Sequence, residues 1–418
     1  MEFYETEIKP EIAVLIGLDT GQYDPQESIA ELSELAKTAG AEVFATLIQS
    51  RPYPDSATFL GSGRLSELAE ICESNEIDLV IADDELTPSQ QKNIERATNA
   101  RVIDRTTLIL DIFALRAKSS EGKIQVELAQ LKYMLPRLTG QGKALSRLGG
   151  GIGTRGPGES KLESDKRHIR RRIHNLEEEL QAMEKRRSLH RERRKKDGVT
   201  TVAIAGYTNA GKSTLLNKLT DAGVLAENKL FATLDPTSRS LKLPDGREIM
   251  LIDTVGFISR LPHKLVEAFK STLEVVTDAD LILNICDCSD TEYIHHNEVT
   301  REILDELEAG SIPVITVLNK CDKAENIFLI PDDKNTVKIS ALTGAGLDNL
   351  LEKIGDILPG KRRRVKFILP FDKGSLAAVI RNSGLVIAEE YTPDGLFMEA
   401  MAGSRELEMI KEYITELC

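Results

Sequence analysis

One run, Gly206-Tyr207-Thr208-Asn209-Ala210-Gly211-Lys212-Ser213, constrains this chain more than any other stretch. It fits the spacing G-x-x-x-x-G-K-[ST]. Thr200 to Ala205 precede it; short, β-branched and apolar, they read as a buried strand. Thr214 to Leu219 follow it and read as the opening of a helix. A strand, a glycine turn and a helix N-terminus aim backbone N–H groups and the positive end of a helix dipole at one point, which suits phosphate. Gly206 and Gly211 allow the backbone to approach where a Cβ would clash. Lys212 supplies a point charge to the β/γ-phosphates, and the Ser213 hydroxyl suits Mg²⁺. Tyr207, Thr208, Asn209, Ala210 and Thr214 complete the expected cradle.

The parts that a nucleotide switch needs follow in order. Phe231-Ala232-Thr233-Leu234-Asp235 reads as a flexible nucleotide-binding segment with a lone hydroxyl, and Thr233 is expected to join the Mg²⁺ shell when a γ-phosphate is present. Ile249 to Ile252 form a strand ending at Asp253-Thr254-Val255-Gly256. Asp253 is expected to hold Mg²⁺ through a water, and the Gly256 N–H to meet the γ-phosphate. Ser213, Thr233 and Asp253 are thus the expected metal set, with Lys212, Thr233 and Gly256 expected to act in hydrolysis. Further on, Asn319-Lys320-Cys321-Asp322 follows another strand. A carboxylate at 322 accepts from guanine N1–H and its 2-amino group, donors that adenine lacks there, so an unpaired carboxylate discriminates by about 1–3 kcal/mol. Ser340-Ala341-Leu342 is placed to cover the guanine O6. These motifs in this order specify GTP.

One departure has chemical weight. Phe257 follows Gly256, where signalling GTPases carry a glutamine that orients the attacking water. Phenylalanine makes no such hydrogen bond, so slow intrinsic hydrolysis and outside completion of the site are expected. Asn209 offers a side-chain oxygen for a monovalent cation, as in similar-looking potassium-activated GTPases, so K⁺ is a candidate cofactor beside Mg²⁺.

With 418 residues the chain is too long for one core. Residues 1–104 alternate strands and helices, which predicts an N-terminal α/β domain with a parallel sheet. Gly61-Ser62-Gly63 there fits either a second nucleotide loop or a plain start of a helix. Residues 105–197 carry two apolar stripes, Ile124 to Leu138 and Leu162 to Met183, either side of a glycine-rich stretch from Gly149 to Gly158. That pattern reads as an antiparallel helical hairpin. Residues 198–358 make the nucleotide domain. Residues 361–418 read as a small C-terminal α+β domain with a hairpin and a terminal helix from Ser404 to Leu417.

Net charge is −13, which argues against a diffuse nucleic-acid coat and gives no reason to expect DNA. Yet Thr139 to Asp197 hold 17 basic and 9 acidic residues. Lys143, Arg147, Arg155 and Lys161 lie at the tip of this arm. They read either as a solvated charge face or as contacts to RNA phosphates, the latter preferred because glycines permit close approach. The five cysteines make no C-x-x-C pair, and no apolar run is long enough to span a bilayer.

Gly153-Thr154-Arg155-Gly156-Pro157-Gly158-Glu159-Ser160-Lys161-Leu162-Glu163 resembles the signature of the HflX GTPases. So do Gly206 to Ser213, Phe231 to Pro236 and Asp253 to Ile258. The resemblance covers nearly the whole chain and implies a cytoplasmic, monomeric GTPase, with loose membrane association an open alternative. It implies binding to the large (50S) ribosomal subunit and its 23S rRNA, and separation of stalled 70S ribosomes under stress. It also raises ATP binding by the N-terminal domain. A large-subunit assembly GTPase and a signalling switch with a protein effector are the rival readings.

Overall fold

A computed structural model describes residues 10–138, 157–196, 199–220, 230–231, 233–324, 333–360, 362–383 and 385–417. The chain divides into two compact units. The first draws on Met1–His190, Glu227–Asp235 and Ile258–Thr272; the second on Arg191–Ala226, Pro236–Phe257 and Leu273–Cys418.

The first unit opens with β1 (Ile12–Asp19), α1 (Pro25–Ala39), β2 (Glu42–Ser50), α2 (Ser62–Ser74), β3 (Leu79–Ala82), α3 (Pro88–Thr98) and β4 (Arg101–Asp104). The strands form an all-parallel sheet in the order β2-β1-β3-β4. Helices on a parallel sheet explain why β1 and β3 are apolar almost throughout. The helix starts are written locally. Asp24 accepts from the Gln26 N–H at 2.7 Å ahead of Pro25, and Thr87 and Gln90 form a capping box around Pro88. Gly61 is the N-cap of α2 with φ −68°, and its N–H donates to the Gln49 side chain at 2.8 Å. The Gly61-Ser62-Gly63 stretch thus starts a helix.

Three helices follow: α4 (Arg105–Arg116), α5 (Ser120–Arg137) and α6 (Pro157–Lys196). Lys132 pairs with Glu177 and Glu121 with Arg187, so α5 and α6 run antiparallel. Arg172 makes a two-pronged pair with Glu127 at 2.6 and 2.7 Å, and Leu176 is fully buried. The sequence carries the glycine loop to Gly158, whereas α6 begins at Pro157, whose fixed φ suits a first helical position. Lys143, Arg147 and Arg155 lie outside the described residues, as does the side chain of Lys161.

A buried ionic cluster lies inside this unit. The Asp83 carboxylate accepts from Arg105 at 2.8 Å, Arg260 at 2.7 Å and the Ser28 hydroxyl at 2.6 Å. Arg105 also donates to Glu31 at 2.5 Å and to the Ser259 carbonyl at 3.1 Å, and Arg260 reaches Asp84. Burial alone would raise the Asp83 carboxyl; the two guanidinium groups outweigh it and hold the carboxyl below its usual range.

The second unit is built on β5 (Thr200–Gly206), α7 (Lys212–Thr220), β6 (Thr237–Lys242) and β7 (Glu248–Asp253). After α8 (His263–Thr277), whose first residues are counted with the first unit, come β8 (Leu281–Asp287), α9 (Tyr293–Glu306), β9 (Val314–Asn319), β10 (Thr336–Lys338) and α10 (Leu347–Ile357). The sheet order is β10-β9-β8-β5-β7-β6, parallel except for β6. The chain ends with β11 (Arg363–Leu369), α11 (Gly374–Ser383), β12 (Leu385–Thr392), β13 (Gly395–Ala402), α12 (Ser404–Ile410) and β14 (Ile414–Leu417). They make an antiparallel sheet in the order β12-β13-β11-β14. The expected terminal helix therefore needs correction. It stops at Ile410, and Ile414–Leu417 turns back to pair with β11 instead. Tyr413-Ile414-Thr415 is aromatic and β-branched, and an open sheet edge outweighed the helical pattern.

Replacing Asp83 by Ala removes a carboxylate shared by two guanidinium groups. It is expected to destabilise the first unit by about 3–5 kcal/mol, read as an earlier urea transition. An unchanged midpoint would show that the cluster contributes nothing net.

Candidate nucleotide-binding site

β5 ends at the loop where the phosphate cradle is expected. Gly206 has φ 140°, Gly211 φ 96° and Asn209 φ 59°, so the loop needs left-handed backbone at three positions. A Cβ at Gly206 would collide with the Ile285 carbonyl of β8. One at Gly211 would collide with the Asn319 side-chain amide. Lys212 opens α7 and is only 6% exposed; its ammonium donates to the carbonyls of Gly206 at 3.1 Å and Tyr207 at 2.8 Å. Burial lowers its pKa from 10.5 to about 8, with nearby Asp253 pulling the other way. A cation held by carbonyl dipoles in a dry turn is poised for an anion. The Tyr207 ring stacks on His296 at 3.8 Å, fixing the far wall of the loop.

The end of β7 meets this loop. Asp253 is fully buried, and the Ser213 hydroxyl donates to its Oδ2 at 2.6 Å. A hydroxyl and a carboxylate side by side are hard oxygen donors, the chemistry that Mg²⁺ takes. Gly256 lies so close to the cradle that a Cβ would come within 2.9 Å of the Thr208 Cα and 3.0 Å of the Lys212 Nζ. The Thr254 hydroxyl donates to the Ile204 carbonyl at 2.8 Å, tying the two strand ends together. Val255 is buried beside it. Phe257 is 1% exposed, and its backbone is stitched to the loop. Its N–H donates to the Gly206 carbonyl at 3.1 Å, and its carbonyl accepts from Thr208 at 2.7 Å. The residue standing in place of glutamine is therefore a core plug.

The base-recognition segments converge as well. Asn319, at the end of β9, is a brace. Its amide donates to the Ala210 carbonyl at 2.8 Å and accepts from the Ala341 N–H at 2.9 Å. Lys320, at φ 63°, pairs with Asp287 at 2.6 Å. Asp322 is exposed, and the Ser340 hydroxyl holds its carboxyl below the usual range. Leu342 is 69% exposed. One side thus presents a charged carboxylate and an apolar side chain to solvent, both suited to a flat base.

The remaining expected residues fall in the first unit. Phe231 and Leu234 are buried, whereas Ala232 lies outside the described residues. Phe231 and Phe269 each pack edge-on against Phe113 of α4 at 4.7 Å. Asp235 accepts from the Lys118 N–H at 2.8 Å, the Ser119 N–H at 2.7 Å and the Ser119 hydroxyl, at the start of α5. Thr233 sits between these two anchors and is partly exposed. Sequence reasoning missed Arg260, Asp83 and Arg105, which hold the segment after Phe257 by the cluster described above. No local pattern marks them.

A phosphate cradle with D-x-x-G at the neighbouring strand end, and N-K-x-D braced against S-A-L, defines a P-loop GTPase. A curated GTPase HflX from Caldanaerobacter subterraneus subsp. tengcongensis is 50% identical over 405 residues, 97% of this chain and 94% of that one. The chain belongs to the HflX GTPase family. The GTPase HflX of Escherichia coli (strain K12) is 43% identical over 371 residues, 88% of this chain and 87% of that one. Family profiles agree. "GTP-binding GTPase N-terminal" matches residues 26–114 and "GTP-binding GTPase Middle Region" 116–194. "50S ribosome-binding GTPase" matches 201–320 and "HflX C-terminal domain" 329–406. Among solved structures, a GTP-binding protein from Sulfolobus solfataricus in complex with GDP covers 83% of this chain and 98% of its own, at 27% identity and TM-score 0.45.

Lys212→Met should lower GTP affinity by more than about a hundredfold, two charge-assisted contacts being lost. The same change should stabilise the nucleotide-free protein by about 1–3 kcal/mol, because it removes a buried charge. Below pH 8 the wild-type lysine is charged in both folded and unfolded states, so the gain is full there. It fades as pH rises toward 10.5, where the lysine is neutral in both states. Nucleotide titration and melting curves across that range check both signs. Phe257→Gln should not speed GTP turnover, because the side chain is buried. It should lower stability by about 2–4 kcal/mol; faster turnover in a phosphate-release assay would contradict this.

Proposed function

We propose that this GTPase binds the large ribosomal subunit and its 23S rRNA, and separates stalled 70S ribosomes during stress, with hydrolysis resetting it for release. The observation that carries the reading is the match of residues 201–320 to a 50S ribosome-binding GTPase profile, joined to 17 basic residues on the arm from Thr139 to Asp197. Basic groups among glycines favour rRNA phosphates. On this reading Lys143, Arg147, Arg155 and Lys161 touch RNA, and the chain works as a cytoplasmic monomer without DNA. Among the described residues no helix is long and apolar enough to cross a membrane.

The geometry supports the following nucleotide roles. N–H groups from Gly206 to Thr214 receive the phosphates, and Lys212 neutralises their charge. Ser213 and Asp253 would hold Mg²⁺, with Thr233 completing its shell, and the ion would supply positive charge to the transferred phosphoryl group. Asp322 reads guanine, and Ser340 to Leu342 cover its edge. Gly256 offers its N–H to the terminal phosphate, so loss of that phosphate releases the segment behind it. Phe257 leaves water unoriented, so intrinsic turnover is slow and the ribosome stimulates it. Asn209 is exposed at the loop tip, where its side chain favours a K⁺ ion beside the phosphates.

Sedimentation with 70S ribosomes, 50S particles and a nonhydrolysable GTP analogue tests the reading. Co-migration with 50S and loss of the 70S peak are expected with the analogue and not with GDP. Accumulation on immature particles with the 70S peak intact would favour the assembly role, and no co-migration in any state would end both. GTP turnover is expected to be several-fold faster in K⁺ than in Na⁺; equal rates would remove the cation from the account.

A further inference from the structure

Two thiols meet beside the guanine-recognition segment, and the GTPase reading gives neither a task. Cys288 follows β8 and Cys321 follows β9, with their sulfurs 3.6 Å apart. The strand ends are in register, Asp287 opposite Asn319. The left-handed Lys320 turns the chain between Asn319 and Cys321. Cys288 is buried, whereas Cys321 is partly exposed. We infer that Cys288 and Cys321 are a dithiol modification site, oxidised to a disulfide by hydroperoxides, and that the bond weakens guanine-nucleotide binding.

The chemistry divides between them. The hydrogen bond from Cys288 holds the Cys321 thiol below its usual range, while the same bond and burial push Cys288 well above it. Cys321 is thus the accessible nucleophile and Cys288 the resolving partner. The Cys321 thiolate attacks the hydroperoxide; an S–O bond forms, the O–O bond breaks, and the alcohol leaves after taking a proton. Cys288 sulfur then attacks the sulfenic sulfur. An S–S bond forms, the S–O bond breaks, and hydroxide leaves as water with the Cys288 proton. Two thiols and one hydroperoxide give a disulfide, an alcohol and a water; a dithiol reductant reverses the change by exchange. Cys286, two residues away, is buried and pushed up to about 12, so it does not compete.

The bond would strain its surroundings. Sulfurs 3.6 Å apart must close to about 2.05 Å. The Cys288 N–H donates to the Asn319 carbonyl at 3.0 Å, and the Cys288 sulfur lies 2.9 Å from the same oxygen. The Cys321 N–H donates to the Ile339 carbonyl at 3.1 Å. Asn319 in turn braces Ala210 and Ala341. Pulling the sulfurs together draws Cys288 away from the Asn319 carbonyl and tilts the segment that carries Asp322.

The effect on nucleotide rests on the guanine role of Asp322; the thiol chemistry does not. The test uses the full chain, reduced and then treated with hydrogen peroxide. Non-reducing peptide mapping and titration with a fluorescent GDP analogue read the two parts separately. A linked Cys288–Cys321 peptide is expected, with affinity weakened about tenfold or more, restored by dithiothreitol. Cys288→Ser and Cys321→Ala should each bind like the reduced wild type and lose the response. Sulfinic acid at Cys321 without a linked peptide would overturn the proposal, as would a linked peptide with unchanged affinity. If the reduced protein ignores the GDP analogue, the guanine reading fails, and the linked peptide alone still decides the thiol pair.

Discussion

A lysine ammonium enclosed by backbone carbonyls is the constraint that orders the nucleotide domain. Water is excluded from Lys212, so its charge must be met by dipoles from the turn that it closes. That turn is possible only with left-handed backbone at Gly206, Asn209 and Gly211. β8 lies so near that Gly206 admits no side chain, and Asn319 presses on Gly211 from the other side. The amide of Asn319 then fixes the Ser340-Ala341-Leu342 segment. The loop from Gly206 to Ser213 and the Ser340-Ala341-Leu342 segment are therefore tied through one side chain.

The loop after β7 is fitted to the same body by its backbone. Gly256 leaves no space for a Cβ beside Thr208 and Lys212, and Phe257 is sewn to Gly206 and Thr208. An apolar side chain at 257 suits this anchorage because it fills the core beneath. A glutamine there would bring an amide into a buried site. Catalytic economy and mechanical anchorage make opposite demands on this position, and here the anchorage prevails.

The motif residues were legible because each is dictated by local chemistry. Glycines mark the turn, Ser213 and Asp253 come together, and Asp322 is met by Ser340. The fold class was legible from strand–helix alternation. The partners of Asp235 were not, since Lys118 and Ser119 are brought to it by tertiary folding. Asp83, Arg105 and Arg260 were silent for the same reason: each is an ordinary charged residue until a sheet, a helix and a distant loop meet. Ile414–Leu417 misled because a short segment of mixed pattern takes whichever partner is nearest, and β11 had an unpaired edge.

Gly122 shows how far such a tie can reach. Any Cβ there would strike the Asp235 carboxylate, which accepts the amides at the start of α5. A methyl group at 122 would evict that carboxylate, leave the amides to seek solvent, and cut a loop loose from its mooring far along the chain. Drift at one position is therefore policed by the other, and a substitution that looks conservative on its own helix would be heard first in the segment bearing Thr233.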